Sequence, residues 1–280
     1  MRRGAQQRVA QQTRALTVKV PAELFVRDLV EESQPPHDPA FAVTDSTDDG
    51  ALLDSLPTPD VVFSGSLAKA VDLNKLLKDP ATDVLALFAS RDDFDEVNIA
   101  TAIHQLGKRK DVRRHDQRLR QLIETAAARV VDEKPFQARH LANMAWGVTK
   151  QGVEAPALLA AIAGAALRKI DEFKPQELAD TSWAYATAGV PAPALFDAIA
   201  VAAVHKINKF APQHLANTAW AYATARVTAP ALFAAIADAA LPKIDAFTPP
   251  TLTNTAWAYA TADVAAPALF DAIAVARPKG

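Results

Sequence analysis

A tandem repeat constrains this chain more than any other feature of its sequence. The stretch from His214 to Ala225, HLANTAWAYATA, recurs with small changes, and the four tryptophans of the chain are spaced 37 residues apart. A repeat period between about 20 and 50 residues predicts a solenoid or a related array. Four sets of equivalent residues, which we call columns, keep this 37-residue spacing: Trp146, Trp183, Trp220 and Trp257; Phe136, Phe173, Phe210 and Phe247; Pro156, Pro193, Pro230 and Pro267; Ile162, Ile199, Ile236 and Ile273.

One copy of the unit, from Phe173 to Lys209, predicts a helical hairpin. Its first part, Gln176–Ala188, contains helix formers without Gly or Pro, and follows a proline that suits a first helical turn. Gly189 then predicts a left-handed stop, and Pro193 opens a second helix from Ala194 to about Ile207. Such a hairpin cannot bury its apolar face alone, so we predict an all-α fold, an α-solenoid of tandem 37-residue helix–turn–helix repeats.

The region before the repeats divides by charge. Met1–Ala22 is basic and has no acidic residue, which is typical of an organelle transit peptide; a frayed basic tail is the alternative. The next segment has ten acidic residues and one arginine between Glu23 and Asp60, together with five prolines, and predicts a disordered acidic linker. The predicted divisions are 1–22 for the basic segment, 23–65 for the linker and 66–93 for short helices.

The short helices are predicted over Ser66–Lys78 and Thr82–Ala89, the second one capped by Thr82 or Asp83. A degenerate capping repeat follows at 94–135, in which His104 takes the place of tryptophan and the second helix is predicted over Val112–Val131. Four tandem repeats complete the chain, at 136–172, 173–209, 210–246 and 247–280, and the last is incomplete.

Signatures of catalysis, metal binding and membrane insertion are missing from the sequence. The chain has no cysteine, and its six histidines are scattered without the spacing of a zinc site. It contains neither a Gly-rich phosphate loop nor a Gly-x-Ser-x-Gly elbow. No apolar run approaches the ~20 residues that a membrane helix needs. We therefore expect no enzymatic activity, no cofactor, no metal ion and no membrane contact.

The strongest electrostatic feature is a basic ridge in the capping repeat. If the second helix of that repeat begins at Val112, then Arg113, Arg114 and Arg120 share one side of it, an arrangement suited to RNA phosphates. A solvated helix surface is the alternative, because the array from Glu133 onward is nearly neutral, with twelve basic and eleven acidic residues. The predicted phosphate-binding residues are Lys108, Arg109, Lys110, Arg113, Arg114, Arg118 and Arg120.

A polar column on the first helix of each repeat forms a second candidate site. Stacking would place its members in a row about 10 Å apart. Asparagine can read a base edge or hold a peptide backbone, or it can fix the superhelix by bonding to the next helix. The column is Asn143, Asp180, Asn217 and Asn254, beside the variable columns His140, Glu177, His214 and Thr251, and Arg139, Gln176, Gln213 and Pro250. The Trp columns, Trp146, Trp183, Trp220 and Trp257, are predicted to be structural core.

The unit at Pro175–Gly189 and Pro212–Arg226 resembles the octotricopeptide repeat. It is also similar to the helical repeats of FAST-kinase-like proteins and of RNA-editing substrate-binding complex proteins, over about Phe94–Gly280. The resemblance implies an α-solenoid that binds single-stranded organellar RNA, with protein partners of an RNA-processing complex. Such proteins support RNA processing, stability or translation in mitochondria or plastids. The RAP domain in which many of them end has no counterpart here, so nuclease-like activity is not implied.

A different class of function fits the neutral array. Armadillo and tetratricopeptide arrays are α-solenoids that bind peptides or proteins and need no concentrated positive charge. The repeats after Glu133 have that balance of charge. A protein-binding scaffold without RNA contact is therefore the alternative reading of the sequence.

Overall fold

The computed structural model describes residues 73–110, 112–132 and 136–276. The predicted basic segment 1–22 and acidic linker 23–65 lie outside these ranges. Within them the chain forms helices joined by short connections and contains no β-strand, which confirms the all-α prediction. The limits of the individual repeats stay a prediction.

Twelve α-helices lie within the described residues, numbered here in chain order. They are α1 (Leu73–Lys78), α2 (Val84–Ala89), α3 (Glu96–Lys108), α4 (Gln117–Val131), α5 (Ala138–Gln151), α6 (Pro156–Leu167), α7 (Pro175–Ala188), α8 (Pro193–Lys206), α9 (Pro212–Ala225), α10 (Pro230–Ala240), α11 (Pro249–Thr261) and α12 (Pro267–Val275). Short 3₁₀ helices precede α7, α9 and α11, at Ile170–Glu172, Ile207–Lys209 and Leu241–Ala246.

The helices stack in two layers. In the first layer α1, α3, α5, α7, α9 and α11 each pack on the next, and in the second layer α2, α4, α6, α8, α10 and α12 follow the same order. Each first-layer helix forms a hairpin with the second-layer helix that follows it in the chain. This arrangement is the predicted α-solenoid, and it includes the short α1–α2 hairpin as its first member.

One predicted element begins later than the sequence pattern suggested. The second helix of the capping repeat starts at Gln117 and not at Val112, because the Asp116 side chain accepts the backbone N–H of Arg118 and caps the helix there. Arg113 and Arg114 consequently lie in the loop before α4. The prediction that they share a helical side with Arg120 is wrong.

Buried tyrosines join successive hairpins. The hydroxyl of Tyr222 in α9 donates to the carbonyl oxygen of Phe196 in α8, 2.5 Å away, and the two rings meet edge to face with centroids 5.1 Å apart. Tyr185 donates to Leu159 and Tyr259 to Phe233 in the same way. A buried hydroxyl needs such a partner, so each tyrosine fixes the position of its first-layer helix on the preceding hairpin.

Two lysines stabilise connections between successive hairpins. Lys206, the last residue of α8, donates to the carbonyl oxygens of Asp171 and Phe173, both at 2.7 Å, just before α7 begins. Lys243 bonds in the same way to Asn208 and Phe210. These lysines satisfy carbonyl groups of the connections between hairpins and are therefore engaged within the protein.

Four first-layer helices end on related backbone geometry, but with different residues. Gly152 and Gly189 end α5 and α7 with φ of 62°, as the sequence predicted for Gly189. Arg226 at the end of α9 and Asp263 just after α11 both have φ of 54°. Residues with a Cβ pay a steric cost in this left-handed region, so the last two hairpins store strain that the third and fourth hairpins avoid.

Replacing Arg226 with glycine is expected to raise the free energy of unfolding by about 0.5–1 kcal/mol, because glycine adopts this conformation without a Cβ clash. Urea unfolding followed by circular dichroism measures the change. The matched control is Gly189→Ala, where a Cβ meets no atom within 4 Å and only the φ of 62° opposes it. That variant should lose stability by about 1 kcal/mol. Destabilisation by Arg226→Gly would contradict the interpretation.

Candidate functional site

Two of the seven ridge residues are engaged by the neighbouring α1–α2 hairpin or by the loop itself. The guanidinium of Arg109 donates to the carbonyl oxygens of Thr82 and Asp79, the latter at 3.0 Å. Arg118 donates to both carboxylate oxygens of Asp116, at 3.1 and 2.7 Å, and lies 3.7 Å from a carboxylate oxygen of Asp83. The hydrogen bond from Arg118 holds the pKa of Asp116 below its usual range. Both arginines thus support the fold around the ridge.

The other five ridge residues are exposed and form what we call the basic cluster. They surround the α3–α4 loop and the first turn of α4, beside a cleft of about 340 Å³ that Arg109, Arg113 and Arg118 line. A helix N-terminus itself attracts anions, so the positive side chains and the start of α4 act in the same direction. The members of the basic cluster are Lys108, Lys110, Arg113, Arg114 and Arg120.

The loop that carries the basic cluster is anchored on the next hairpin. Gln151, the last residue of α5, donates through its side-chain amide to the carbonyl oxygens of Leu106 and Arg109. The guanidinium of Arg114 lies over Gly152, where an added Cβ would stand 2.9 Å from its central carbon. The cluster is therefore held between the first and third hairpins and is not a freely moving tail.

Three members of the variable column, His140, Glu177 and His214, cap their first-layer helices. Nδ1 of His140 accepts the backbone N–H of Gln137 at 3.3 Å, and a carboxylate oxygen of Glu177 accepts that of Lys174 at 2.7 Å. His214 repeats the contact, whereas the hydroxyl of Thr251 donates to the carbonyl oxygen of Thr248, whose own side chain caps α11. Burial is the main cause that lowers the pKa of both histidines, which keeps Nδ1 free to accept. Base reading by this column stays a prediction.

The polar row predicted on the first-layer helices lies inside the stack. Asp180, Asn217 and Asn254 are only 8%, 2% and 3% exposed, while Asn143 is half-buried. Among the described residues, one carboxylate oxygen of Asp180 and the amide nitrogen of Asn217 have no hydrogen-bond partner. Burial at this level keeps a ligand away from these atoms in this conformation, so Asp180, Asn217 and Asn254 can contact RNA bases only if neighbouring helices separate.

Asp180 is the one acidic member of that row. Burial raises the pKa of its carboxyl group to about 7, and Glu177 adds to the effect, whereas a hydrogen bond with Gln176 opposes it. A buried carboxylate without a cationic partner favours its neutral form. Near neutral pH, Asp180 therefore exchanges its proton within a seam where the equivalent residues are neutral asparagines.

Aromatic side chains form a row across adjacent first-layer helices. His104 and Trp146 meet with ring centroids 5.1 Å apart, and Trp220 and Trp257 with centroids 6.3 Å apart. The ammonium of Lys150 lies 5.9 Å from the ring centroid of Trp183, which is within cation–π range. Trp146, Trp183 and Trp220 are buried, and Trp257 is half-buried. These rings pack between helices and leave little surface for stacking a base.

The sequence pattern did not identify Asn98 as a helix-capping residue. It occupies the same capping position in α3 as His140 does in α5, accepting the backbone N–H of Asp95 at 3.1 Å. Its amide nitrogen also donates to Asn74 at 3.0 Å, which links α3 to α1. The sequence carries this signal, because Asn98 lies six residues before His104, as His140 lies six residues before Trp146.

The described residues contain no group of three His, Cys, Asp or Glu side chains placed to hold a metal ion. None of the helices described here has the length and hydropathy to cross a bilayer.

Paired helices in two layers, with a cationic loop at one end, define an α-solenoid of helical-hairpin repeats. A family model described as RNA-editing substrate-binding complex 6 protein matches residues 64–276, and the chain belongs to this family. Membership implies a role in an RNA-editing complex and thus in RNA processing. No curated protein sequence matches the chain.

Replacing Asp180 with asparagine should stabilise the protein above neutral pH. The folded-state pKa is about 7, against about 3.9 in the unfolded chain, so the contribution of Asp180 to stability is largest below pH ~4 and is lost as pH rises toward ~7. Asparagine has the same shape and no charge, so Asp180→Asn removes that loss. The free energy of unfolding should rise by up to about 4 kcal/mol at pH ~8 and by little at pH ~4. Urea unfolding across this pH range tests the expectation. Asp197→Asn, at an exposed position of α8, is the control; a pH-independent effect of Asp180→Asn would contradict it.

Proposed function

We propose that this protein binds single-stranded RNA as a member of an RNA-editing complex, with the basic cluster holding RNA phosphates. The observation that carries the proposal is the concentration of five exposed cations on one anchored loop and helix start. Family membership supports the choice of RNA as the polyanion. The remaining array is nearly neutral, which favours a single contact region for the RNA backbone over a continuous positive groove.

Contacts with the bases would come from the exposed column that precedes the capping column. Arg139 and Gln176 are exposed and Gln213 is half-buried, and all three lie near the start of their first-layer helices, at one edge of the stack. Amide and guanidinium groups can bond with base edges of unpaired nucleotides. We therefore favour these residues over the buried row around Asn217 as direct RNA contacts.

We propose further that the protein acts by binding alone, without catalysis, and that it works in a mitochondrion. The proposed site consists of cations and amides, a composition that favours binding over catalysis. The basic, acid-free stretch Met1–Ala22 and membership of an RNA-editing family both favour the mitochondrial location.

Protein contact is the second candidate function, and the near-neutral array is the observation that favours it. The second-layer helices carry few exposed charges, such as Asp197 on α8 and Asp238 on α10. A surface of this kind suits other subunits of a complex better than it suits a polyanion. The two functions are compatible, because the basic cluster lies around the α3–α4 loop, whereas Asp197 and Asp238 lie on the later helices α8 and α10.

Replacing Lys110, Arg113 and Arg120 together with alanine should weaken binding to single-stranded RNA. Each phosphate contact that is lost should lower the slope of log affinity against log salt by about 0.7. Fluorescence anisotropy with a labelled single-stranded RNA between about 50 and 200 mM salt measures both quantities.

The matched control replaces three exposed cations outside the cluster, Arg168, Lys174 and Lys209. It changes the net charge by the same amount and should leave the slope closer to that of the wild type. If the two variants lost equal RNA affinity, binding would depend on general charge attraction and not on a specific site. A wild-type slope near zero would refute phosphate binding altogether.

A further inference from the structure

We propose that the acidic stretch between Glu23 and Asp60 docks on the basic cluster of the same chain and competes there with RNA. The contact itself depends only on charge and tethering. Its regulatory consequence rests on the proposed function. The acidic stretch would then act as a polyanion that competes with RNA for the basic cluster of the same chain.

Charge complementarity is the first argument. Ten carboxylates and a single arginine lie between Glu23 and Asp60. The five side chains of the basic cluster are exposed, and the array from Glu133 onward is nearly neutral. The other stretch of concentrated positive charge is Met1–Ala22, which precedes the acidic stretch. Among the described residues, the cluster is therefore the surface best matched to the acidic stretch.

Proximity is the second argument. Arg109, in the loop of the basic cluster, bonds to the connection that follows α1, and α1 is only six residues long, or about 9 Å. The described chain thus begins at Leu73, one short helix away from the cluster. Thirteen positions separate Asp60 from Leu73, and such a segment spans at most about 45 Å when fully extended. The acidic stretch can reach the cluster without strain.

Arg118, which lies beside the cluster, shows how this part of the protein accommodates carboxylates. Asp116 forms a two-pronged contact with Arg118, and Asp83 approaches the same guanidinium from the preceding hairpin at 3.7 Å. Neighbouring cations of the cluster have the same chemistry, and carboxylates of the acidic stretch would meet them in the same way.

Tethering makes weak contacts effective. Exposed ion pairs are individually weak and are screened by salt, yet tethering within one chain gives an effective concentration that reaches the millimolar range. The docked state would therefore be populated at low salt and released at high salt. A bound RNA backbone, which offers a denser line of negative charge, would displace the acidic stretch from the cluster.

The contact can be tested without RNA. Zero-length carbodiimide cross-linking of the full chain at low salt, followed by mass spectrometry, should join Lys108 or Lys110 to carboxylates of the acidic stretch. These links should disappear when the salt is raised. Links confined to Lys19, or an absence of links to the cluster, would overturn the proposal by showing that the acidic stretch pairs with the basic segment or remains free.

The competition is tested by RNA affinity in a pair of variants with equal net charge. The test variant replaces five acidic residues by their amides: Asp45, Asp48, Asp49, Asp54 and Asp60. The control replaces five exposed residues of the array by their amides: Asp171, Glu172, Asp197, Asp245 and Asp271.

At about 50 mM salt the test variant should bind single-stranded RNA on the order of 3- to 10-fold more tightly than the control, and at about 300 mM the two should converge. Equal affinities at low salt, despite cluster cross-links, would overturn the competition. If neither variant binds RNA, the proposed function fails and the competition fails with it, whereas the cross-links still decide whether the contact exists.

Discussion

Burial of each first-layer helix between its two neighbours is the interaction on which the structure depends. In α9 every residue from Leu215 to Ala223 is buried, including Asn217 and Thr218. An isolated hairpin buries only one stripe of each helix, so this state requires α7 on one side and α11 on the other. The alanines at positions 216, 219, 221 and 223 make it possible, because small side chains let helix backbones approach closely.

This packing decides which polar groups are available for function. Polar groups that enter a helix–helix seam need partners within the protein. The tyrosine hydroxyls, the capping column and Lys206 have such partners, whereas Asp180 keeps an unpaired oxygen within the described residues and responds with a raised pKa. The basic cluster and the exposed edge near Arg139 and Gln176 remain accessible. The proposed RNA contacts therefore lie at the end and edge of the stack and not in its repeated interior.

The hairpin architecture could be predicted because its signals are local. Prolines mark helix starts, and Gly189 ends α7 where its left-handed geometry was expected. The start of α4 was predicted too early, because several residues before Asp116 are compatible with a helix and only the cap selects the boundary. Within the candidate site, Arg109 could not be distinguished from a free cation, because its partners Asp79 and Thr82 are distant in sequence. The main partner of Arg118 is local, since Asp116 lies only two residues before it.

The burial of the polar row shows a different limit. The sequence pattern placed Asp180 in a polar column on α7 that a ligand could contact. That assignment assumes one covered face, whereas helices on both sides cover this one. Burial by a neighbouring helix on each side is a property of the stack and cannot be predicted from the sequence of a single helix.

Removing one whole repeat tests the central claim most directly. Deletion of residues 173–209 joins Glu172 to Phe210 and leaves equivalent residues at both new seams, since Tyr222 replaces Tyr185 against Leu159. If neighbouring hairpins stabilise one another through repeated contacts, the shortened chain should unfold cooperatively, with unchanged helical signal per residue and lower stability. Loss of cooperative unfolding, or of helical signal, would contradict the account.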